Sequence, residues 1–446
     1  MPENNLSAAL AGALTLGLAT AANAEVDRRQ FEGTTLNLVY HSATFLPGLE
    51  KLLPEFEELT GIKVNIETLS EASAMQKVQL ELATGSTAYD VIGVQSGVMP
   101  LYAENNWVVP VETFFGNESL SDPAQLAIDD FIPSTLNAMA VDGTQQCLPF
   151  FAATVMLYYQ IDKLKAAGFD RPPTTFEELM EVAAKVHTDD LPAIALRGSP
   201  ASAAGNIWAF NLFFYGHGAQ YFADFPDDFT PQVNSPEAIR ALETFVELKQ
   251  NYAAEGAVNF VFDDVVTSMQ QGTVSMVIDG APLAGRILDK EQSKVSGNLG
   301  FAVVPGGVAG PKPSFAAHGL CVAGGSRSPG AAYLFLEWAT SAETMTKVSQ
   351  NSNYLATPRN AVWENPDFIS KYNFDFGGGE FLKIYQASLN VAPADYYPPF
   401  PGWGLVGERM GQAVQEAEIG QKTPIEALND ANEDITRILK EEGFLN

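Results

Sequence analysis

The sequence predicts an α/β protein built as two lobes, and three observations carry that expectation. At 446 residues the chain is too long for one hydrophobic core of ordinary size, while 46% apolar and 18% charged residues make a globular composition. Its opening alternates strand-like and helix-like periodicity, as parallel βαβ units do. Two apolar segments marked by Pro or Gly, residues 147–159 and Phe315–Ala323, are placed to cross between lobes.

The chain starts with a segment of another kind. Residues 6–20 are uncharged and rich in Ala and Leu, and Ala22-Asn23-Ala24 follows as the small-x-small pattern that signal peptidase reads. A signal peptide over 1–24, cleaved after Ala24, is expected. Residues 1–5 carry Glu3 and no Lys or Arg, a departure from the usual basic start; a buried Ala-rich helix is the competing reading. No later stretch reaches the roughly 18 apolar residues of a membrane span, so a soluble, periplasmic mature protein is expected.

Residues 36–40 read as a strand. Leu49, Leu52, Leu53, Phe56 and Leu59 then recur at helical spacing until Gly61. Residues 63–67 alternate as a second strand, a helix follows over 72–83, and 89–94 form a third strand. Ligands of such parallel sheets sit beyond the carboxyl ends of the strands, which points to His41, Ser42 and Thr44, to Glu71, and to Gln95. Asp90 opens the third strand and either fixes its turn or touches ligand.

Residues 147–159 contain Pro149 and read as extended. Beyond them Thr175 with Glu178 forms a capping box, and Ser235-Pro236 opens a helix whose Ile239, Leu242, Phe245 and Val246 make one apolar face. Gly272 ends another helix before a strand at 273–278. After Phe315–Ala323, helices start at Ser328-Pro329 and Ser341. The last helix, after Thr423-Pro424, carries Ile425, Leu428, Ile435, Ile438 and Leu439 as a core face. The expected division is lobe 1 over 25–148 and 315–360, and lobe 2 over 149–314 and 361–446.

Asp and Glu number 54 against 25 Lys and Arg, a negative field that repels nucleic-acid backbones and anionic lipid. Cys147 and Cys321 are the only cysteines. Both adjoin the crossover segments, where they either pair in an oxidising compartment or pack as buried thiols. Neither follows the signal directly, as the cysteine of a lipoprotein would.

Six segments carry a family likeness: FEELTGIKV (56–64), LATGSTAYDVIGV (82–94), LPFFAATVMLYYQIDKLKAAGF (148–169), MQQGTVSMVIDGAP (269–282), SKVSGNLGFAVVPGG (293–307) and GGSRSPGAAYLFLEWATSAE (324–343). In this order they resemble the carbohydrate-binding branch of bacterial ABC-transporter solute-binding proteins, the group that includes maltose-binding protein. LRGSP (196–200), the Gly-Asn-x-Trp at 205–208 and the IDGAP turn (278–282) look most like the sugar and polyol binders of that group. The resemblance implies the two-lobed periplasmic-binding-protein fold, monomeric, with no cofactor or metal. It also implies a cleft that closes on ligand without chemistry, and delivery to an inner-membrane permease.

A polyol or sugar needs aromatic planes and hydrogen-bonding amide, carboxylate or Arg groups. Trp403, inside YYPPFPGWG (396–404), is the leading stacking candidate, with pinning of its loop as the alternative. Asn206 and Trp208 stand at a helix start that faces the cleft in relatives, although Trp208 can equally be core. Asp279 emerges from a strand end or caps the next turn. Arg197 binds adjacent hydroxyls or makes a structural ion pair. Phe151, at a crossover, supplies aromatic surface or packs the junction, and His318 joins from the other crossover. Ala153 and Val94 stand where some relatives have larger polar or aromatic groups, which favours a small ligand.

Competing classes are an exported carbohydrate-active enzyme, a ferric-iron binder and a polyamine binder. The first lacks HExxH, GxSxG and P-loop motifs, and His41, His187, His217 and His318 have no metal spacing. Iron would use the tyrosine pairs Tyr158-Tyr159 and Tyr396-Tyr397, of which the first alternates along a strand.

Overall fold

The computed structural model describes residues 26–445 except 42, 44, 201–204 and 394, with the side chains of Glu71 and Ala72 also outside the description. The signal-peptide expectation therefore lies outside the described residues, as do Ser42 and Thr44. Among the described residues no helix is long and apolar enough to cross a membrane.

Among the described residues nine strands form one mixed sheet: β1 Thr35–His41, β2 Lys63–Leu69, β3 Val91–Gln95, β4 Val108–Val109, β5 Leu148–Gln160, β6 Ile194–Ala195, β7 Met276–Gly280, β8 Leu299–Ala302 and β9 Phe315–Ala323. The order is β2-β1-β3-β9-β5-β7-β6, with β4 on β9 and β8 on β5. The pairs β1–β2 and β1–β3 are parallel, as the opening periodicity predicts.

The strand β5 divides in the middle. Its residues Leu148 to Thr154 pair with β9, whereas Val155 to Gln160 pair with β7 and β8. The α/β units on either side are thus joined through β5 and β9, the two segments expected to cross. Cys147 and Cys321 form a disulfide at the β3 side of this junction, closing a loop across a separation of 174 residues. Of the two alternatives left by the sequence, the structure takes the paired one.

Helix starts follow their polar caps. Thr175, Ser235, Ser341 and Thr423 each accept a hydrogen bond from a backbone N–H in the first turn, replacing partners the helix cannot supply. The box at Thr175 is half made: the Glu178 carboxylate turns to the Thr174 N–H and hydroxyl and to Arg171. The strand expected at 273–278 begins at Met276, because Thr273 folds back on the Ser268 carbonyl. Leu59 is exposed, since the helix Leu53–Thr60 buries the 52, 56, 60 stripe; Ile425 is exposed in the first turn of Pro424–Glu441.

The helices Asn360–Trp363 and Pro366–Tyr372 pack on Ala342–Asn351. Phe381–Val391 lies on β5, and Trp403–Glu418 and Pro424–Glu441 pack on Asn206–Gly216 and Pro236–Tyr252. Arg359, fully buried, anchors the first of these groups by donating to the Thr340, Ala127 and Leu126 carbonyls over the Phe131 ring.

Candidate functional site

Four of the expected residues converge where β1, β3, β5 and β9 meet. His318 of β9 stands opposite Gln95 of β3 and Phe151 of β5. Its ring lies 5.1 Å from that of His41, the last residue of β1, and 5.0 Å from Phe151. Burial holds the His318 imidazole well below the usual histidine range, and His41 adds to this, so the ring is neutral. A neutral imidazole offers one donor and one acceptor, which suits hydroxyl ligands.

A second group forms on the other side of the junction. The Arg197 guanidinium donates through Nε and Nη2 to both carboxylate oxygens of Asp279, at 2.9 and 2.6 Å, and lies over the rings of Trp208 and Phe262. Asp279 sits near the end of β7, as expected, but its side chain is fully buried and its charge is committed to Arg197. The loop that carries Arg197 rests on buried Lys249, whose ammonium donates to the Arg197 and Ala257 carbonyls and pairs with Glu418 at 2.6 Å. Gly198 is required there: a Cβ would come within 2.0 Å of the Ala257 oxygen.

Trp208 is tied through its carbonyl, which accepts from the Ser314 hydroxyl at 2.5 Å and the Tyr396 hydroxyl at 2.9 Å. Its indole Nε1 is buried without a hydrogen-bond partner among the described residues, and so is that of Trp403. A buried indole N–H without an acceptor is a cost the fold ordinarily avoids.

Of the two readings of Asp90 the structure takes the first: just before β3, five residues from Gln95, it accepts from the Asn37 N–H and the Ser326 hydroxyl and fixes the strand entry at the far end from the site. Two expectations are corrected. Asn206 is wholly buried and donates to the Gly411 carbonyl at 2.7 Å, tying two helices together. Trp403 is covered: Tyr397 stacks on it with centroids 5.5 Å apart, and Tyr221 meets its edge at 4.8 Å. Glu71 opens the helix Glu71–Ala83, and its side chain is outside the description.

Tyr397 is the residue that sequence reasoning missed, having weighed it only as half of a tyrosine pair. It is half-buried, backed by Trp403, and reaches to 3.7 Å from where a Cβ on Gly97 would stand, so it spans from the Trp403 helix to the turn after β3. A cavity of about 150 Å³ lies there, lined by Ser96, Gly97, Asn137, Phe315, Asp395 and Tyr397 among others. The tyrosine pairs do not converge: Tyr158, Tyr159 and Tyr396 donate to three separate carbonyls, of Ala281, Gly378 and Trp208. Among the described residues no group of three or more His, Cys, Asp or Glu could hold a metal ion.

Two α/β units joined by crossing strands, with aromatic and hydrogen-bonding groups gathered at the junction, are the build of a solute binder. Residues 42–346 match the family described as bacterial extracellular solute-binding protein, and the chain belongs to that family. It is 26% identical to the mannitol-binding protein of Pseudomonas aeruginosa over 418 residues, covering 89% of this chain and 91% of that one. Among solved structures, an ABC-transporter solute-binding protein of Agrobacterium vitis with bound D-mannitol superposes with a TM-score of 0.79 at 26% identity, over 92% of this chain and 99% of that one. One of Agrobacterium radiobacter in complex with ribitol gives 0.80 at 22% identity, over 91% and 99%.

Proposed function

We propose that this protein is the substrate-binding component of an ABC importer, that it closes on a linear polyol or small sugar, and that it hands this ligand to an inner-membrane permease. The observation that carries the reading is the junction itself, where Tyr397 reaches Gly97 over a small cavity and neutral His318 faces His41, Gln95 and Phe151. Arg197, oriented by its two hydrogen bonds to Asp279 and lying over the Trp208 ring, brings a guanidinium to this junction as a donor for ligand hydroxyls. Ligand bridging the two units favours the closed arrangement because only that arrangement makes both sets of contacts.

In this reading Ser42, Thr44 and Glu71 complete the β1 and β2 side. One lobe comprises 25–148 and 315–372, a boundary beyond 360 that the packing of Pro366–Tyr372 on Ala342–Asn351 supports; the other comprises 149–314 and 373–446. The mature protein is a soluble periplasmic monomer cleaved after Ala24, and it returns its ligand chemically unchanged.

The test is calorimetric titration and thermal unfolding of the mature chain against alditols, mono- and disaccharides, amino acids, polyamines and ferric iron. A cognate alditol or sugar at about 1,000 times its dissociation constant adds roughly 4 kcal/mol of stability. Responses confined to amines or iron overturn the reading, and so does recovery of a chemically altered ligand.

A further inference from the structure

A larger groove of about 400 Å³ adjoins the cleft cavity, and the two share Asp395 as a lining residue. The segment from Asp395 to Pro398 is the partition: Tyr397 lines the cavity on one side and Pro398 the groove on the other. Across the groove, Tyr215 donates its hydroxyl to the Tyr396 carbonyl at 2.9 Å, which fixes this wall to the partition.

The groove wall is aromatic and its rim polar. Tyr215 and Phe225 are half-buried in it, and Phe222, also in the lining, stacks on Phe225. Gln220, Asp224, Lys312 and Asp395 stand around these rings, and none of the four makes a side-chain hydrogen bond or ion pair among the described residues. Aromatic faces ringed by an amide, two carboxylates and an ammonium match the apolar faces and hydroxyl belt of a pyranose. The volume falls in the range of about 300–1,000 Å³ usual for small-molecule sites.

We propose that this groove is an outer subsite for a pyranose unit, so that the preferred ligand class is a glycosylated alditol: its polyol end lies at the junction beside His318 and Tyr397, and its sugar ring beyond Asp395 in the groove. The inference rests on the polyol reading above and adds a sugar unit to it. Asp224 and Gln220, which line the groove and not the cavity, recognise only the glycosyl part.

The experiment titrates the mature chain with mannitol, sorbitol and ribitol and with the α- and β-glucosides of the first two. At least one glucoside should bind about tenfold more tightly than its parent alditol. Asp224→Ala and Gln220→Ala should each remove most of that advantage while leaving the affinity for the parent alditol unchanged. Free alditols that bind while no glucoside gains overturn this inference alone, as does an advantage that survives in the double variant. Silence toward every alditol and glucoside overturns the polyol reading and this inference together.

Discussion

Arg197 and Asp279, far apart in sequence, meet in a two-pronged ion pair whose carboxylate is fully buried and whose guanidinium lies against Trp208. Replacing Asp279 by Asn strands the guanidinium in a poorly hydrated place, and about 3–5 kcal/mol of stability should be lost in denaturant unfolding. The double variant Arg197→Met, Asp279→Leu should recover most of this stability without recovering ligand binding. Recovery of both would make the pair purely structural.

Gly198 allows the Arg197 loop to lie on Lys249 and Ala257. In Gly198→Ala the added methyl group overlaps the Ala257 carbonyl, so the loop must lift. A stability loss of about 1–3 kcal/mol is expected from such overpacking, with weakened ligand affinity beyond that loss. Calorimetric titration below the melting temperature separates the two effects.

The disulfide between Cys147 and Cys321 closes a long loop and is wholly buried. Its replacement in Cys147→Ala, Cys321→Ala should lower stability by about 2–5 kcal/mol. Ligand affinity should remain, since the bond is fully buried opposite Ile92, three residues along β9 from His318 and outside the groups that face the ligand. Parallel melts and titrations of the two proteins check both statements.

His318 makes stability depend on pH in a defined direction. Its folded-state pKa lies below the unfolded value of about 6.5, so above that value both states are neutral and nothing changes. As the pH falls through about 6.5 the unfolded chain takes up a proton that the folded chain refuses, and stability declines. The melting temperature should therefore drop between pH 7.5 and 5.5, and His318→Gln should flatten that drop. His217, lowered by burial and by Arg240, acts in the same direction, so His217→Gln serves as the companion measurement.

Much of the fold was legible because its signals are local. The bounds of β9 follow from an apolar run between Ser314 and Gly324, and helix starts follow from Ser or Thr before Pro. That His41 and Gln95 reach the same edge was legible for a topological reason, since the parallel strands β1 and β3 deliver their last residues there; His318 joins them from within antiparallel β9, opposite Gln95. Asp90 carried the same signal in reverse: preceding its strand, it belongs to the other edge. What could not be read is set by distant contacts. That the Asn206 amide meets the Gly411 carbonyl, and that Tyr397 lies over Trp403, depends on how a loop with Pro398, Pro399 and Pro401 folds against helices far away in sequence.

The divided strand β5 also dictates when this protein can finish folding. Its partners lie at 276–280, 299–302 and 315–320, so during synthesis residues 148–160 wait for well over a hundred further residues before any edge is covered. Sheets completed through such distant pairings form slowly, because loop closure comes before the contacts that reward it. Until then both edges of this strand stay unpaired, and the junction between the two units closes only when the last strand of the sheet, β9, has been made.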